Sequence, residues 1–164
     1  MGLNSGWGKP EFDCSVPPHA PVCSGIVWAF ENVSPPMIDH VSIAVRDLPA
    51  SAGFYERALR PLGMTRLVST TTRVAFGAKY PELWLNARPR MMAVDPDTGA
   101  HVCLRAKTAD AVNAFHHAAL AYGGTDDGAP GLRPATLVTY YAAFIRDPDG
   151  NRIEVMTVPQ PTTK

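Results

Sequence analysis

Two histidines and one glutamate in this 164-residue chain have the types and positions from which a metal site could be built. His40 and His101 occupy the same place in two similar stretches, and Glu154 lies near the end of the second. Imidazole nitrogen and carboxylate oxygen suit Zn, Fe, Mn, Ni or Co as divalent ions, and three protein ligands leave positions open for water or substrate. The sequence therefore predicts a metal centre in which Glu154, or a displaced metal water, moves a proton during catalysis.

An internal repeat places these side chains at equivalent positions. Residues 40 and 101 are 61 apart, and a phenylalanine, a leucine and a glycine recur at the same offset. A lone strand histidine is more often a hydrogen-bonded core or surface residue, and a strand glutamate usually faces solvent. The repeat favours the metal site over that structural alternative, because unrelated histidines would not share one internal position.

Each copy of the repeat is predicted to fold as a strand, a helix and then three strands. Alternation predicts strands over 38–45 and 100–106, each with an aliphatic face and a face carrying the histidine. Helices are expected from Asp47 to Gly63 and from a Thr108 N-cap to Gly124. Further strands are predicted over 64–69, 73–78, 82–86, 140–146 and 153–158, with 125–134 either a distorted strand or a loop. The fold class is α+β, with helices on one side of mixed sheets.

Composition bounds the class of protein. The formal net charge is zero and the pI is about 7.0, so neither nucleic acid nor an anionic membrane is an expected partner. No apolar run is long enough to span a bilayer, and no signal peptide is visible. Three cysteines without metal-ligand spacing favour reduced thiols in a cytoplasmic protein. Residues 1–36 are predicted to form a loosely ordered arm, 37–158 the domain, and 159–164 a short tail.

Several short segments resemble one known superfamily. They are Ile38-Asp39-His40-Val41, Phe54-Tyr55, Leu62-Gly63, Gly99-Ala100-His101-Val102 and Asp147-Pro148-Asp149-Gly150-Asn151-Arg152-Ile153-Glu154. Together they resemble the vicinal oxygen chelate superfamily, which includes glyoxalase I, bleomycin- and fosfomycin-resistance proteins and extradiol dioxygenases. The resemblance implies two βαβββ modules, about 37–88 and 99–158, curling into an open, cup-shaped mixed-sheet barrel with the helices outside. It also implies a homodimer, a divalent metal at His40, His101 and Glu154, and a substrate that chelates it through neighbouring oxygens.

One position departs from the glyoxalase I pattern. When Phe76 is paired with Phe144 across the two hairpins, Trp84 falls where Glu154 lies in the second module. Tryptophan cannot bind metal and supplies instead a wall and an N–H donor. The resemblance is therefore to the three-ligand members. The other residues expected to line the cup and contact substrate are Arg105, Trp84, Phe76, Phe144 and Tyr140.

Two functions follow from these expectations. The first is a metal-dependent enzyme of lyase, isomerase or dioxygenase type, acting on a small oxygen-chelating substrate. The alternative is a metal-free protein that binds or sequesters a small planar compound, as the bleomycin-resistance proteins do.

Overall fold

The computed structural model describes residues 38–134 and 138–158. The predicted arm over 1–36, with Cys14 and Cys23, and the tail over 159–164 lie outside the described residues.

The two predicted modules are confirmed, each with the order strand, helix and three strands. The first contains β1 (Val41–Val45), α1 (Leu48–Ala58), a 3₁₀ turn (Arg60–Leu62), β2 (Thr65–Ser69), β3 (Arg73–Gly77) and β4 (Leu83–Ala87). The second contains β5 (Val102–Arg105), α2 (Ala109–Ala121), β6 (Thr125–Arg133), β7 (Tyr140–Arg146) and β8 (Arg152–Thr157). The stretch predicted as a distorted strand or a loop is β6, a strand whose register against β7 shifts twice.

Each module forms its own four-stranded mixed sheet. The strand orders are β1-β4-β3-β2 and β5-β8-β7-β6, so the opening strand of each module pairs with its closing strand. Those two pairings are parallel and the remaining ones are antiparallel. The predicted α+β class is confirmed. The ladders of the described strands do not join the two sheets, so the cup is not closed into a barrel.

The helices begin where local chemistry predicts but end before the predicted glycines, α1 at Ala58 and α2 at Ala121. The Asp47 carboxylate accepts a hydrogen bond from the Ala50 amide at 3.0 Å, and Thr108 caps α2 in the same way through the Ala111 amide at 3.2 Å. After the 3₁₀ turn, Gly63 adopts a left-handed conformation with φ of 77°, which residues with a Cβ rarely tolerate. In the described part of the chain, no helix is long and apolar enough to cross a membrane.

One hydrophobic core lies between the helices and the sheets of both modules. Its members are the alternate strand residues that face the helices, together with the apolar stripe of each helix. The largest fully buried side chains are Tyr55, Phe76, Phe115, Leu59, Leu83, Leu85, Ile145 and Ile153. The opposite faces of the sheets, here called the helix-free faces, carry His40, Ser42 and Trp84 in the first module and Cys103, Phe144 and Glu154 in the second.

Phe76 belongs to this core, which corrects the prediction that it lines the cup. It pairs in register with Leu83, a helix-facing residue, and its side chain is fully buried. Its ring lies 6.3 Å from the ring of Tyr55 on α1. Phe76 therefore stabilises the fold and cannot contact a ligand on the opposite face of the sheet.

The turn that precedes β8 fastens the second module to the first. The guanidinium of Arg46, after β1, donates to the Asp149 carboxylate at 2.6 Å. The amide of Asn151 donates to the carbonyl of Ala44 at 3.0 Å. The turn that resembled a superfamily signature is thus a structural joint between residues about a hundred positions apart.

Asp147 is the centre of that joint. One carboxylate oxygen accepts from the backbone amides of Asp149 (2.9 Å) and Asn151 (2.7 Å). The other accepts from the hydroxyl of Tyr55 and the side-chain amide of Asn151, both at 2.8 Å. Burial raises the pKa of the Asp147 carboxyl above its usual value, although these four hydrogen bonds act in the lowering direction. All four donors depend on a single buried side chain.

Candidate active site

The second module brings two predicted metal ligands together. The Nε2 atom of His101, just before β5, lies 3.1 Å from a carboxylate oxygen of Glu154 on β8. Parallel pairing of β5 with β8 sets this proximity, because it places Cys103 beside Glu154. His101 lies two residues before Cys103 and therefore on the same face of the sheet. The His101 side chain is 38% exposed and that of Glu154 only 7%. An accessible imidazole and a buried carboxylate thus converge at one point on the helix-free face.

Cys103 is a member of this group to which the sequence assigned no role. Cys103 is exposed at the surface, and its sulfur is only partly buried. That partial burial, then the charge of Glu154 and a hydrogen bond with it, raise the pKa of the Cys103 thiol to about 12. Strand alternation already put Cys103 on the face of His101, and that was the available signal. The thiol is therefore not a ready nucleophile.

We expect Cys103 to react slowly with iodoacetamide in chelator-treated protein. A thiol pKa of about 12 rather than 9.0 lowers the thiolate fraction at pH 8 about a thousandfold. Glu154→Gln should speed alkylation by removing the carboxylate charge, which is one of the causes of the raised thiol pKa. The rates are measured by mass spectrometry of the Cys103 peptide. A wild-type rate equal to that of free cysteine would contradict this assignment.

The first module carries a different set of groups at the equivalent place. Ser42 pairs with Trp84 as Cys103 pairs with Glu154, so Trp84 occupies the position of Glu154, as predicted. The Nδ1 atom of His40 lies 2.7 Å from a carboxylate oxygen of Asp39. The rings of His40 and Trp84 meet edge to face, with centroids 6.4 Å apart. This module therefore offers one imidazole and an aromatic surface.

The three predicted ligands do not form one cluster within a single chain. Over 38–134 and 138–158, no group of three or more His, Cys, Asp or Glu side chains is close enough to hold a metal ion. His101 and Glu154 are brought together, whereas His40 stands apart with Asp39. The nitrogen and oxygen of the His101–Glu154 pair are a fitting donor set for a divalent ion, but the pair supplies only two ligands.

The remaining predicted cup residues lie on the helix-free face of the second module. Phe144 on β7 is opposite Glu154, and its ring is 6.3 Å from that of His101. Alternation along β7 puts the partly exposed Tyr140 on the face of Phe144. Arg105, at the end of β5, is exposed and shares the face of Cys103. Phe144 therefore gives the His101–Glu154 pair an aromatic neighbour, and Arg105 places a cation further along the same strand face.

Paired βαβββ modules with histidines on the helix-free faces define a glyoxalase-like class of fold. The chain belongs to the Glyoxalase/Bleomycin resistance protein/Dioxygenase superfamily, whose sequence profile matches residues 37–155. Among proteins with curated function, none matches the chain.

Three solved structures illustrate the likeness. A glyoxalase/bleomycin resistance protein from Albidiferax ferrireducens T118 is 30% identical, with 73% of this chain and 98% of that chain covered and a TM-score of 0.66. An integron cassette protein from the mobile metagenome of V. cholerae is 26% identical, covering 73% and 93%, with a TM-score of 0.51. A lactoylglutathione lyase from Agrobacterium tumefaciens is 21% identical, covering 74% and 93%, with a TM-score of 0.52; at that identity it shows the fold alone.

Proposed function

We propose that this protein is a divalent-metal-dependent enzyme of lyase, isomerase or dioxygenase type that acts on a small oxygen-chelating substrate. The observation that carries the proposal is the 3.1 Å approach of His101 Nε2 to the buried carboxylate of Glu154. A buried carboxylate is costly unless a cation or hydrogen-bond donors compensate it. A metal ion would compensate it through a direct bond to the carboxylate oxygen, with the His101 imidazole as a second ligand.

His40 of a second copy of this chain completes the ligand set in this proposal. Within one chain His40 is separate from the other two ligands, and its side chain is 51% exposed. A two-fold homodimer that faces the first module of one chain with the second module of its partner gives two equivalent sites. Dimers that act on small molecules are common in the superfamily, which supports a homodimer here.

The residues around the proposed site have separable tasks. When bound, the metal ion would supply Lewis acidity toward a substrate oxygen. Glu154 would accept the proton to be moved, and Cys103 lies beside it on the neighbouring strand. Phe144 and Trp84 present aromatic surfaces that exclude water and hold a planar substrate, and Arg105 offers a cation to an anionic group. We assign the enzyme to the cytoplasm, where its three cysteines would stay reduced.

Metal content tests this proposal directly. Protein purified without chelator is expected to contain about one divalent ion per chain, because the proposed dimer has two equivalent sites for its two chains. His40→Ala, His101→Ala and Glu154→Ala should each lower metal content at least about tenfold, since each removes a ligand. His117→Ala, an exposed helix histidine, is the matched control and should retain the wild-type value. Substoichiometric metal that His40→Ala leaves unchanged would refute the metal site.

A metal-free binding protein is the alternative, and Trp84 is the observation that favours it. Where a four-ligand site would have a carboxylate, this chain has an indole partly exposed to solvent. Ligand titrations followed by tryptophan fluorescence in the presence of chelator separate the two functions. Binding that persists in chelator, in protein that also holds no metal when purified without chelator, supports the alternative. Protein that holds metal and loses affinity for an oxygen-chelating ligand in chelator supports the metal enzyme.

A further inference from the structure

A cleft on the helix-free face of the first module has the size and lining of a ligand site. Its volume is about 410 Å³, within the usual range for sites that hold small molecules. Its lining includes Asp39, His40, Ser42, Arg73, Trp84 and Asn86. The cleft therefore combines one large aromatic wall with several polar groups.

Arg73 gives this cleft a positive charge that no carboxylate compensates. Its guanidinium lies over the ring of Trp84, with the guanidinium carbon 5.6 Å from the ring centroid. None of the ion pairs among the described residues includes Arg73. The carboxylate that lines the cleft is that of Asp39, which is already bound to His40 at 2.7 Å. An anion entering the cleft would therefore find a guanidinium ready to bind it.

Neutral polar groups stand beside that cation. Asn86 pairs in register with Arg73 across β3 and β4, so their side chains are neighbours on one face. Ser42 pairs with Trp84 across β1 and β4. Neither the Asn86 amide nor the Ser42 hydroxyl hydrogen-bonds to another side chain in the described part of the chain, so both are available to a ligand.

We propose that this cleft binds a planar aromatic carboxylate. The aryl ring packs on the indole of Trp84 beside Arg73, and the carboxylate accepts hydrogen bonds from the Arg73 guanidinium and the Asn86 amide. A guanidinium matches a carboxylate with two parallel hydrogen bonds, which selects carboxylates over neutral aryl compounds. If the protein is the proposed enzyme, this carboxylate is its substrate, and that part of the inference rests on the proposed function. Binding itself needs no metal.

Calorimetric titration of the full chain in excess chelator tests this assignment with benzoate, benzamide and cyclohexanecarboxylate. Benzoate should bind at least about tenfold more tightly than benzamide, which lacks the charge that Arg73 recognises. It should also exceed cyclohexanecarboxylate, which cannot stack on Trp84. Arg73→Gln should abolish the preference for benzoate over benzamide, and Trp84→Leu the preference for benzoate over cyclohexanecarboxylate.

Arg90→Gln removes an exposed arginine outside the cleft and is the matched control, expected to bind benzoate as the wild type does. Arg73→Lys keeps the charge without the paired hydrogen bonds and should give an intermediate preference. The proposal is overturned if benzoate does not saturate the protein, or if Arg73→Gln behaves as Arg90→Gln does. A chain that shows the benzoate preference but contains no metal would refute the proposed enzyme and leave this site standing.

Discussion

Asp147→Asn is expected to lower the free energy of unfolding by about 2–4 kcal/mol, because it turns one acceptor of a buried site into a donor. The wild-type carboxylate accepts four hydrogen bonds, two at each oxygen. Asparagine fills the same volume but directs its NH₂ group toward two donors, leaving buried polar groups unpaired. Urea denaturation at pH 7 measures the change.

Two variants separate this acceptor loss from other effects. Asp95→Asn alters a solvent-exposed aspartate that caps its own turn through the Asp97 amide, and should cost less than about 1 kcal/mol. Tyr55→Phe removes one of the four donors and leaves the others paired, so about 1 kcal/mol is expected. Equal stability losses in Asp147→Asn and Asp95→Asn would show that the joint between the modules contributes little.

The fold was predictable from sequence because its signals are local. Alternating residues identified β1 and β5, and the caps at Asp47, Thr108 and Gly63 follow from side-chain chemistry at helix ends. β6 was harder to predict, since its glycines, proline and aspartates are typical of loops. Pairing with β7 over two shifts of register makes it a strand, and a partner strand is not visible in local composition.

Phe76 shows why one part of the candidate site was wrong. Phe144 lies opposite Glu154, but the residue opposite Trp84 is Ala75, one position before Phe76. Because side chains alternate along a strand, an error of one residue moves a side chain to the other face of the sheet. Register across a hairpin is set by turn geometry in three dimensions, which the internal repeat did not specify.

The arrangement of the two modules relative to each other could not be predicted from the repeat, for a similar reason. A repeat places His40 and His101 at equivalent positions within their modules, but it carries no information about how the modules face each other. The Asp147–Asn151 turn shows the same limit, since its bonds to Arg46 and Ala44 depend on tertiary contacts. The sequence thus predicted the sheet face on which each proposed ligand lies. It did not predict which of those ligands come together within one chain.

Mixing two inactive variants is expected to restore metal binding if the site is shared between chains. His40→Ala disables the first module and Glu154→Ala the second, so each variant alone should bind almost no metal. After joint unfolding and refolding, half of the dimers pair one variant with the other, and each such dimer has one intact site. About one quarter of all sites should then bind metal, as two-fold symmetry requires.

The matched control mixes His101→Ala with Glu154→Ala, which lie in the same module and meet at 3.1 Å. No pairing of these two variants produces an intact site, so metal content should stay near zero. Wild-type protein taken through the same treatment should regain its full metal content. If it does and the His40→Ala and Glu154→Ala mixture remains empty, the metal is not held between chains. His40 would then have no part in a shared site, and the exposed His40–Asp39 pair would act only at the first-module cleft.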